Sequence, residues 1–504
     1  MILEMYLSSY IRRVLRASVK IILIFITFSA LLSCTRKPVG NIIPLYRQPF
    51  LQPDISGVTI PLNIAPVNFR IKEPGIAFYA EVISGENEKI TISSAEGQIR
   101  IPLKKWKKML DKQKSGDINI DIYVKSSGKE WKKFDRVSIS VARESIDPFL
   151  TYRLILPGYE SWAELSINQR NLENFREHPV IKNSIADESC VNCHSYNNGK
   201  TDDFLFHMRG SLSGTFFYSG SDLKKVNLKT KEMKNGSVYP RWHPSGRFVA
   251  FSSNKIIQQF HSSDNKKIEV SDLESSLVLY DKEKNVITPI IFPGSEKFMD
   301  TYPEWTPDGT TLYFCRAKPV GENYDYSQIR YNLYKASFDA ASGKFGDAEL
   351  AFNADTSGKS ISFPRISPSG RYLVMTMQDY GCFPIWHKET DLWILDLETN
   401  NSDRMNLNSD YTDSYHSWSS NGKWIVFSSK RDDGLTARPY FAYIDDNGQS
   451  AKPFLLPAED PDFYDRFIKS YNVPEFSDIE IRLNPGRLRR ISRRESIQAG
   501  WASK

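Results

Sequence analysis

The sequence predicts an all-β protein, with a β-sandwich near the N-terminus and a β-propeller of five to seven blades in the second half. Three observations support this prediction. Aromatic residues make up 13% of the chain, helical periodicity is scarce, and a turn-and-strand unit recurs four times in the second half. A short irregular connector is expected between the two domains.

The first 33 residues have the pattern of a bacterial secretion signal. Basic side chains precede an apolar run over residues 21–32, which is too short for a membrane-spanning helix of about 20 residues. The run ends in the tetrad LLSC, which resembles a lipobox. That resemblance implies that Cys34 is lipidated and anchors the chain to a membrane. The alternative is an ordinary signal followed by an incidental cysteine.

The residues after Cys34 indicate where the anchor places the chain. Thr35 follows the cysteine, and by resemblance to other lipoproteins this favours the outer membrane. Arg36 and Lys37 are basic, which favours the periplasmic face over surface export. The formal net charge is +6 and falls to about +3 without the signal, which is too weak a bias to predict nucleic-acid binding.

A β-sandwich is expected over residues 56–145, after a linker over residues 34–55. Runs such as VTIPLNIAPVNFRI and INIDIYVKSS alternate apolar and polar residues at the spacing of an Ig-like sandwich. A helix-like stretch, Leu103–Lys112, interrupts them. Residues 146–205 are rich in aromatic and amide side chains and are predicted to form the irregular connector.

The repeat in the second half begins at Tyr239, Tyr302, Phe363 and Tyr415, as in YPRWHPSGRFVAFSS. Each copy has an aromatic residue, a bulky residue three positions later, a four-residue turn and a short strand. Three of the turns have proline in second place and all four end in glycine, which suits their backbone angles.

This pattern resembles the propeller repeats of the TolB translocation protein and of prolyl oligopeptidases. The resemblance implies a propeller over residues 206–460, followed by a C-terminal extension over residues 461–504 with a basic tail. It predicts a fold and no activity.

The connector contains Cys190-Val191-Asn192-Cys193-His194, a spacing typical of covalent haem attachment in an oxidising compartment. It resembles the attachment motif of c-type cytochromes. The resemblance implies that Cys190 and Cys193 carry the thioethers of a c-type haem and that His194 is the proximal iron ligand. Met208 and His207 follow closely and are candidates for the distal ligand.

Two other interpretations of the cysteines stay open at this point. A structural zinc site needs four ligands, of which three are clustered here. A local disulfide between Cys190 and Cys193 is the second alternative. Cys315 and Cys382 are free to pair in an oxidising compartment, but the sequence does not decide whether they do.

The sequence therefore predicts an outer-membrane lipoprotein that binds a c-type haem and serves electron transfer or redox sensing, with the propeller as a docking platform for a protein partner. The alternative is a haem-independent, TolB-like scaffold in envelope assembly or nutrient uptake. Gly-x-Ser-x-Gly, His-Glu-x-x-His and phosphate-loop motifs are absent from the sequence, so it favours no enzymatic activity.

Overall fold

The computed structural model describes residues 37–128, 130–158, 164–220, 222–261, 266, 268–320 and 324–502. The predicted signal and the predicted lipidation site, Cys34, lie outside these residues. Within the described ranges, no helix has the length and apolar character needed to cross a membrane. The architecture is all-β, as the sequence predicts.

The N-terminal domain is a β-sandwich of two sheets that share one hydrophobic core. Its elements are β1 (Ile42–Pro44), β2 (Leu51–Gln52), β3 (Thr59–Ile60), β4 (Phe69–Ile71), β5 (Ala77–Ser84), β6 (Glu88–Ser94), β7 (Gln98–Ile99), α1 (Leu103–Gln113), β8 (Gly116–Lys125), β9 (Trp131–Lys133) and β10 (Val137–Val141). In the larger sheet, β8 pairs with β5 on one side and with β9 and β10 on the other. Strands β6, β1 and β3 extend this sheet, and the smaller sheet has the order β2-β4-β7.

Helix α1 closes the sandwich. Trp106, Met109 and Leu110 are its buried residues, and their spacing of three and four places them on one face of the helix. The Trp106 indole nitrogen donates a hydrogen bond to the backbone carbonyl of Ile64 at 2.9 Å. The buried polar end of this large side chain is therefore satisfied.

In the described part of the chain, the remaining strands form a propeller of six blades. Blades 1 to 3 are β35 (Ser470–Ser477), β11 (Phe149–Ile155), β12 (Ser166–Asn171), β13 (Glu177–Lys182); β14 (Cys190–Asn197), β15 (Lys200–Arg209), β16 (Gly214–Ser219), β17 (Asp222–Asn227); and β18 (Ser237–Trp242), β19 (Phe248–Phe260), β20 (Ile268–Asp281), β21 (Val286–Ile290). The strand named first in each blade is the inner strand, which faces the central channel.

Blades 4 to 6 are β22 (Met299–Trp305), β23 (Thr311–Ala317), β24 (Tyr331–Asp339), β25 (Lys344–Phe345), β26 (Glu349–Phe352); β27 (Ser360–Ile366), β28 (Tyr372–Gln378), β29 (Asp391–Asp396), β30 (Ser402–Arg404); and β31 (Asp413–Trp418), β32 (Trp424–Ser429), β33 (Arg438–Tyr443), β34 (Phe454–Leu455). The remaining C-terminal elements are α2 (Phe463–Arg466), α3 (Pro485–Ser492), β36 (Ile497–Gln498) and β37 (Gly500–Trp501). Short 3-10 turns lie at Asn183–Ala186, Ser295–Lys297, Tyr326–Gln328, Asp355–Ser357 and Pro384–Trp386.

The predicted irregular connector over residues 146–205 is wrong, because this segment forms β11 to β14 and the start of β15. Most residues of β11 and β14 are buried, so they lack the apolar–polar alternation that marks a half-exposed strand. The hairpin between β14 and β15 turns tightly at Asn198 and Gly199, both with positive φ. That turn lacks the proline of the repeat signature.

The predicted C-terminal extension over residues 461–504 also belongs to the propeller. Strand β35 pairs antiparallel with β11 and closes the ring of blades. Strands β36 and β37 add in parallel to the outer edges of blades 2 and 3. Within the predicted basic tail, Arg493 pairs with Asp187 at 2.9 Å and Leu488 is fully buried. The tail is therefore bound to the blades.

The sandwich packs against blade 6 and the segment that follows it. Trp424 is fully buried in the core shared by the two domains, and its indole nitrogen donates to the carbonyl of Glu144 at 3.3 Å. The Asn68 side-chain amide donates to the carbonyls of Ala458 and Glu459, at 3.1 and 3.0 Å. Arg70 forms an ion pair with Asp462.

Loss of a large side chain from β35 should destabilise the whole propeller. Tyr471 is 1% exposed and its ring lies 4.7 Å from that of Tyr152 on β11. We expect Tyr471→Ala to lower the free energy of unfolding by about 3–5 kcal/mol, because the truncation leaves a cavity between the two strands. Ile479→Ala, at an exposed position just beyond β35, should change it by less than about 0.5 kcal/mol. Equal urea midpoints for the two variants would contradict the conclusion that packing of β35 against β11 stabilises the propeller.

Candidate functional site

The six inner strands of the described blades have the same β-bulge, in which two residues of the inner strand lie opposite one residue of the neighbouring strand. In each bulge one residue has φ between 48° and 56°. These residues are Cys193, Tyr239, Tyr302, Phe363, Tyr415 and Val473. A positive φ is uncommon for residues other than glycine and costs about 1–3 kcal/mol. Its recurrence at one position of every blade indicates that packing around the channel imposes it.

The bulge gives a structural reason for the bulky residue of the repeat. This residue follows the bulge by three positions, and in three blades it is a tryptophan whose indole nitrogen donates to a carbonyl of a preceding inner strand. Trp242 donates to Ser195 at 3.1 Å, Trp305 to Arg241 at 3.2 Å and Trp418 to Arg365 at 3.1 Å. Each such bond links two inner strands around the channel.

The Cys-x-x-Cys-His motif lies within this repeat. Cys193-His194-Ser195-Tyr196 occupies the same four positions of blade 2 as Tyr415-His416-Ser417-Trp418 does in blade 6. Cys193 therefore takes the place of the repeat aromatic residue. The His-Ser pair that the two segments share could have identified blade 2 as a further copy of the repeat. The copy is hard to recognise in the sequence because its turn lacks the proline found in three of the other copies.

The central channel contains a cavity of about 1210 Å³. Blades 1 and 2 contribute Cys190, Cys193, His194 and two arginines to its wall. Blades 5 and 6 contribute aromatic side chains and two lysines, and the long β19–β20 hairpin of blade 3 adds apolar side chains. The structure thus brings the three residues of the sequence motif together at one solvent-connected site.

Burial shifts the pKa values of two residues of the motif, His194 and Cys190. The pKa of His194 is lowered to about 4, mainly by burial and also by the positive charge of Arg153, while hydrogen bonds to the backbone at Val473 and Thr151 oppose this shift. The His194 imidazole is therefore neutral at pH 7. Its Nε2 atom is buried and has no hydrogen-bond partner in the described structure. Burial also raises the pKa of the Cys190 thiol.

The two predicted distal ligands lie elsewhere, and neither appears among the described residues that line the cavity. His207 forms a 2.8 Å hydrogen bond through Nδ1 with the Thr215 hydroxyl. Met208 is buried in the apolar core between blades 1 and 2. Both side chains lie on β15, one strand outward from the channel, and the structure does not support their assignment as distal ligands.

His416 is a site residue that the sequence analysis did not select. It borders the same cavity at the position in blade 6 equivalent to His194. Its Nε2 lies 2.8 Å from the Val374 carbonyl, and its Nδ1 is buried with no partner in the described structure. Burial is the main cause that lowers its pKa to about 3, so this imidazole is also neutral.

Four charged side chains, each two positions after a bulge, form a network across the channel. Arg241 and Arg365 both pair with Glu304, at 2.5 and 3.4 Å, and Arg241 also lies 4.0 Å from Glu475. Burial raises the pKa of Glu475 to about 7, against the lowering effect of the two arginines. Burial is also the main cause that lowers the pKa of Arg365 to about 9.

The cysteine geometry bears on the alternatives that the sequence left open. All four cysteines within the described ranges have free thiols: Cys190, Cys193, Cys315 and Cys382. In that same part of the chain, no three His, Cys, Asp or Glu side chains converge as the ligands of a metal ion would. A structural zinc site needs four such ligands, whereas the thioether bonds of a c-type haem use the two thiols separately.

No protein-family model and no curated protein matches this chain. Among solved structures, it is similar to an oligogalacturonate lyase in complex with manganese, at 10% identity and a TM-score of 0.34, over 60% of this chain and 73% of that one. It is similar to prolyl oligopeptidase B from Galerina marginata at 12% identity and a TM-score of 0.32, over 53% and 38%. It is also similar to the Swd1 β-propeller domain from Myceliophteria thermophila at 14% identity and a TM-score of 0.28, over 52% and 86%.

These likenesses are distant and carry no argument about activity. The protein is a β-propeller protein on the evidence of its own six sheets in the described chain. The cysteine motif is built into an inner strand of the second blade, where it borders the central cavity.

Protonation of Glu475 should make stability depend on pH. Its folded pKa is about 7 against an ordinary value of 4.5, so between these values the folded state holds a proton that the unfolded state has released. Stability is therefore lost as pH rises through this window. We compare the free energies of unfolding of Glu475→Gln and of the unsubstituted protein, measured with urea at pH 5 and at pH 8. The value for the variant minus that for the unsubstituted protein should be about 2 kcal/mol higher at pH 8 than at pH 5. An equal difference at both pH values would contradict the shift.

Proposed function

We propose that this chain is an envelope lipoprotein whose propeller holds a c-type haem and serves electron transfer or redox sensing. The observation that carries the proposal is that Cys190, Cys193 and His194 all line one cavity, with a neutral His194 imidazole whose buried Nε2 has no hydrogen-bond partner among the described residues. A buried nitrogen without a hydrogen bond costs about 1–3 kcal/mol. Coordination to iron would remove that cost.

The residues around the motif fit such a group. Cys190 and Cys193 would carry the thioethers, and His194 would supply the proximal nitrogen. Arg209 is the cross-strand neighbour of Cys190, and Arg153 also borders the cavity. Their guanidinium groups suit the two carboxylates at the edge of a haem. When bound, the haem would supply reversible one-electron chemistry.

The propeller would act as the docking platform for a redox partner. Phe260 and Leu435, both among the cavity-lining residues, are 65% and 59% exposed. Exposed apolar side chains beside an opening are typical of contact surfaces. The predicted lipid on Cys34 would hold this platform at the periplasmic face of the outer membrane.

The second candidate is a haem-independent, TolB-like scaffold in envelope assembly or nutrient uptake. The observation that favours it is the regular β-structure of the motif. Cys190, Cys193 and His194 lie on an inner strand that matches the other five blades of the described chain. Such a strand needs no cofactor to complete its hydrogen bonding.

Absorption spectra separate the two candidates. The mature chain, produced in a host with haem-attachment machinery, should show a pyridine haemochrome spectrum and an added porphyrin mass. Cys193→Ala should lose covalent attachment through that thiol, and His194→Ala should shift the Soret band, since the proximal ligand changes.

Cys315→Ala is the matched control, because Cys315 is fully buried in another blade and does not border the cavity within the described lining. It should keep the full haem content. Colourless wild-type protein with two unmodified thiols at positions 190 and 193 would refute the haem proposal and leave the scaffold candidate.

A further inference from the structure

The side of the cavity formed by blades 5 and 6 has a different chemistry from the cysteine side. Two lysines lie there beside aromatic rings. The Lys430 Nζ atom is 5.1 Å from the ring centroid of Trp386, and the Lys388 Nζ atom is 4.8 Å from that of Tyr411. All four residues line the cavity. We call these four residues the lysine–aromatic wall.

The two lysines of this wall are not paired with Glu389 or Asp433, the acidic residues that line the cavity beside them in blades 5 and 6. In the described chain, no carboxylate oxygen lies within 4.0 Å of the Nζ atom of either lysine. Glu389 pairs instead with His387 at 2.9 Å. Asp433 accepts hydrogen bonds from the backbone amides of Leu435 and Thr436, both at 2.8 Å.

The whole cavity has an excess of positive charge. Among its described lining residues, seven are basic and three are acidic. They are Arg153, Arg209, Arg241, Arg365, Lys266, Lys388 and Lys430 against Glu389, Asp433 and Glu475. Glu304 lies behind this lining and pairs with Arg241 and Arg365, and Glu269 pairs with Lys266. With these two carboxylates included, basic groups still outnumber acidic groups by two. A positive potential inside a concave site concentrates small anions.

Lys430 is held in place on the wall. Its Nζ atom donates a hydrogen bond to the Ile385 carbonyl at 2.8 Å. Burial lowers its pKa to about 8, against the opposing effect of Asp433. This group is partly desolvated and lacks a close counter-ion, so a bound anion would stabilise its charged form.

The cavity is also large enough for a ligand with an aromatic ring and offers apolar surface for that ring to contact. Its volume of about 1210 Å³ exceeds the range of roughly 300–1,000 Å³ that is typical for one small ligand. Phe383 and Ile385 border the cavity beside the two lysines and expose only 8% and 6% of their surface. They offer an apolar contact next to the positive charges.

We propose that the lysine–aromatic wall binds a small organic anion that carries a carboxylate on a flat apolar ring. The ammonium groups of Lys430 and Lys388 hold the carboxylate, and the ring packs against Phe383 and Ile385. The site requires both features, because an apolar surface alone does not select charge and exposed lysines alone bind anions weakly. It does not depend on haem at Cys190 and Cys193.

Binding of 2-naphthoate to the mature chain tests this site, with neutral 2-naphthamide as the matched probe. Titration calorimetry should give one binding event for naphthoate and at least about tenfold weaker binding for the amide, because the amide has no charge to pair with the lysines. Lys430→Met and Lys388→Met should each weaken naphthoate binding about tenfold. Lys430→Arg should retain most of the affinity.

Two further samples serve as controls. Lys344→Met removes a lysine from an outer strand of blade 4, away from the cavity, and should bind naphthoate normally. Wild-type chain produced without haem-attachment machinery should also bind it normally, so failure of the haem proposal does not affect this result. If Lys430→Met does not fold, the naphthoate affinities of Lys388→Met and Lys430→Arg still test whether the two lysines bind the carboxylate. Equal affinity for the amide, unchanged binding by folded lysine variants, or no naphthoate binding at millimolar concentration would overturn the proposal.

Discussion

The pairing of β35 with β11 is the constraint on which the propeller depends. Blade 1 takes its outer three strands from the beginning of the propeller sequence and its inner strand from near the end of the chain. Because β35 completes blade 1 in this way, the ring of blades is closed, and each blade has a neighbouring blade on both sides. It also brings Val473 and Glu475 beside β14, where the Tyr196 amide lies 3.5 Å from a Glu475 carboxylate oxygen.

The bulge recurs on the inner strand of all six described blades, and it affects which side chains border the channel. Two positions after the bulge, the described blades supply Arg241, Glu304, Arg365 and Glu475, whose charges compensate one another. One position after the bulge, blades 2 and 6 supply His194 and His416 instead of proline. A single backbone irregularity, repeated in every blade, therefore produces both the structural charge network and the candidate site.

The cavity combines groups that are costly to bury. The imidazoles of His194 and His416 are neutral because burial lowers the pKa of each. Arginines and lysines outnumber the acidic residues in the described lining. Free thiols, neutral imidazoles and the ammonium groups of Lys388 and Lys430, which have no carboxylate within ion-pair distance in the described chain, suit ligands that bring carboxylates and an apolar body. The proposed haem and the proposed organic anion both have these properties, and they would use different sides of the cavity.

The sequence by itself determined the all-β class, the sandwich near the N-terminus, four of the propeller units and the grouping of Cys190, Cys193 and His194. These features depend on local signals, namely alternation, turn residues and spacing, which neighbouring residues in the chain supply. Only the tertiary structure decided that the motif lies on an inner strand, that β35 completes blade 1, and that His416 borders the same cavity as His194. These relations join residues from opposite ends of the propeller, and a linear pattern does not record contacts that form only when the ring closes.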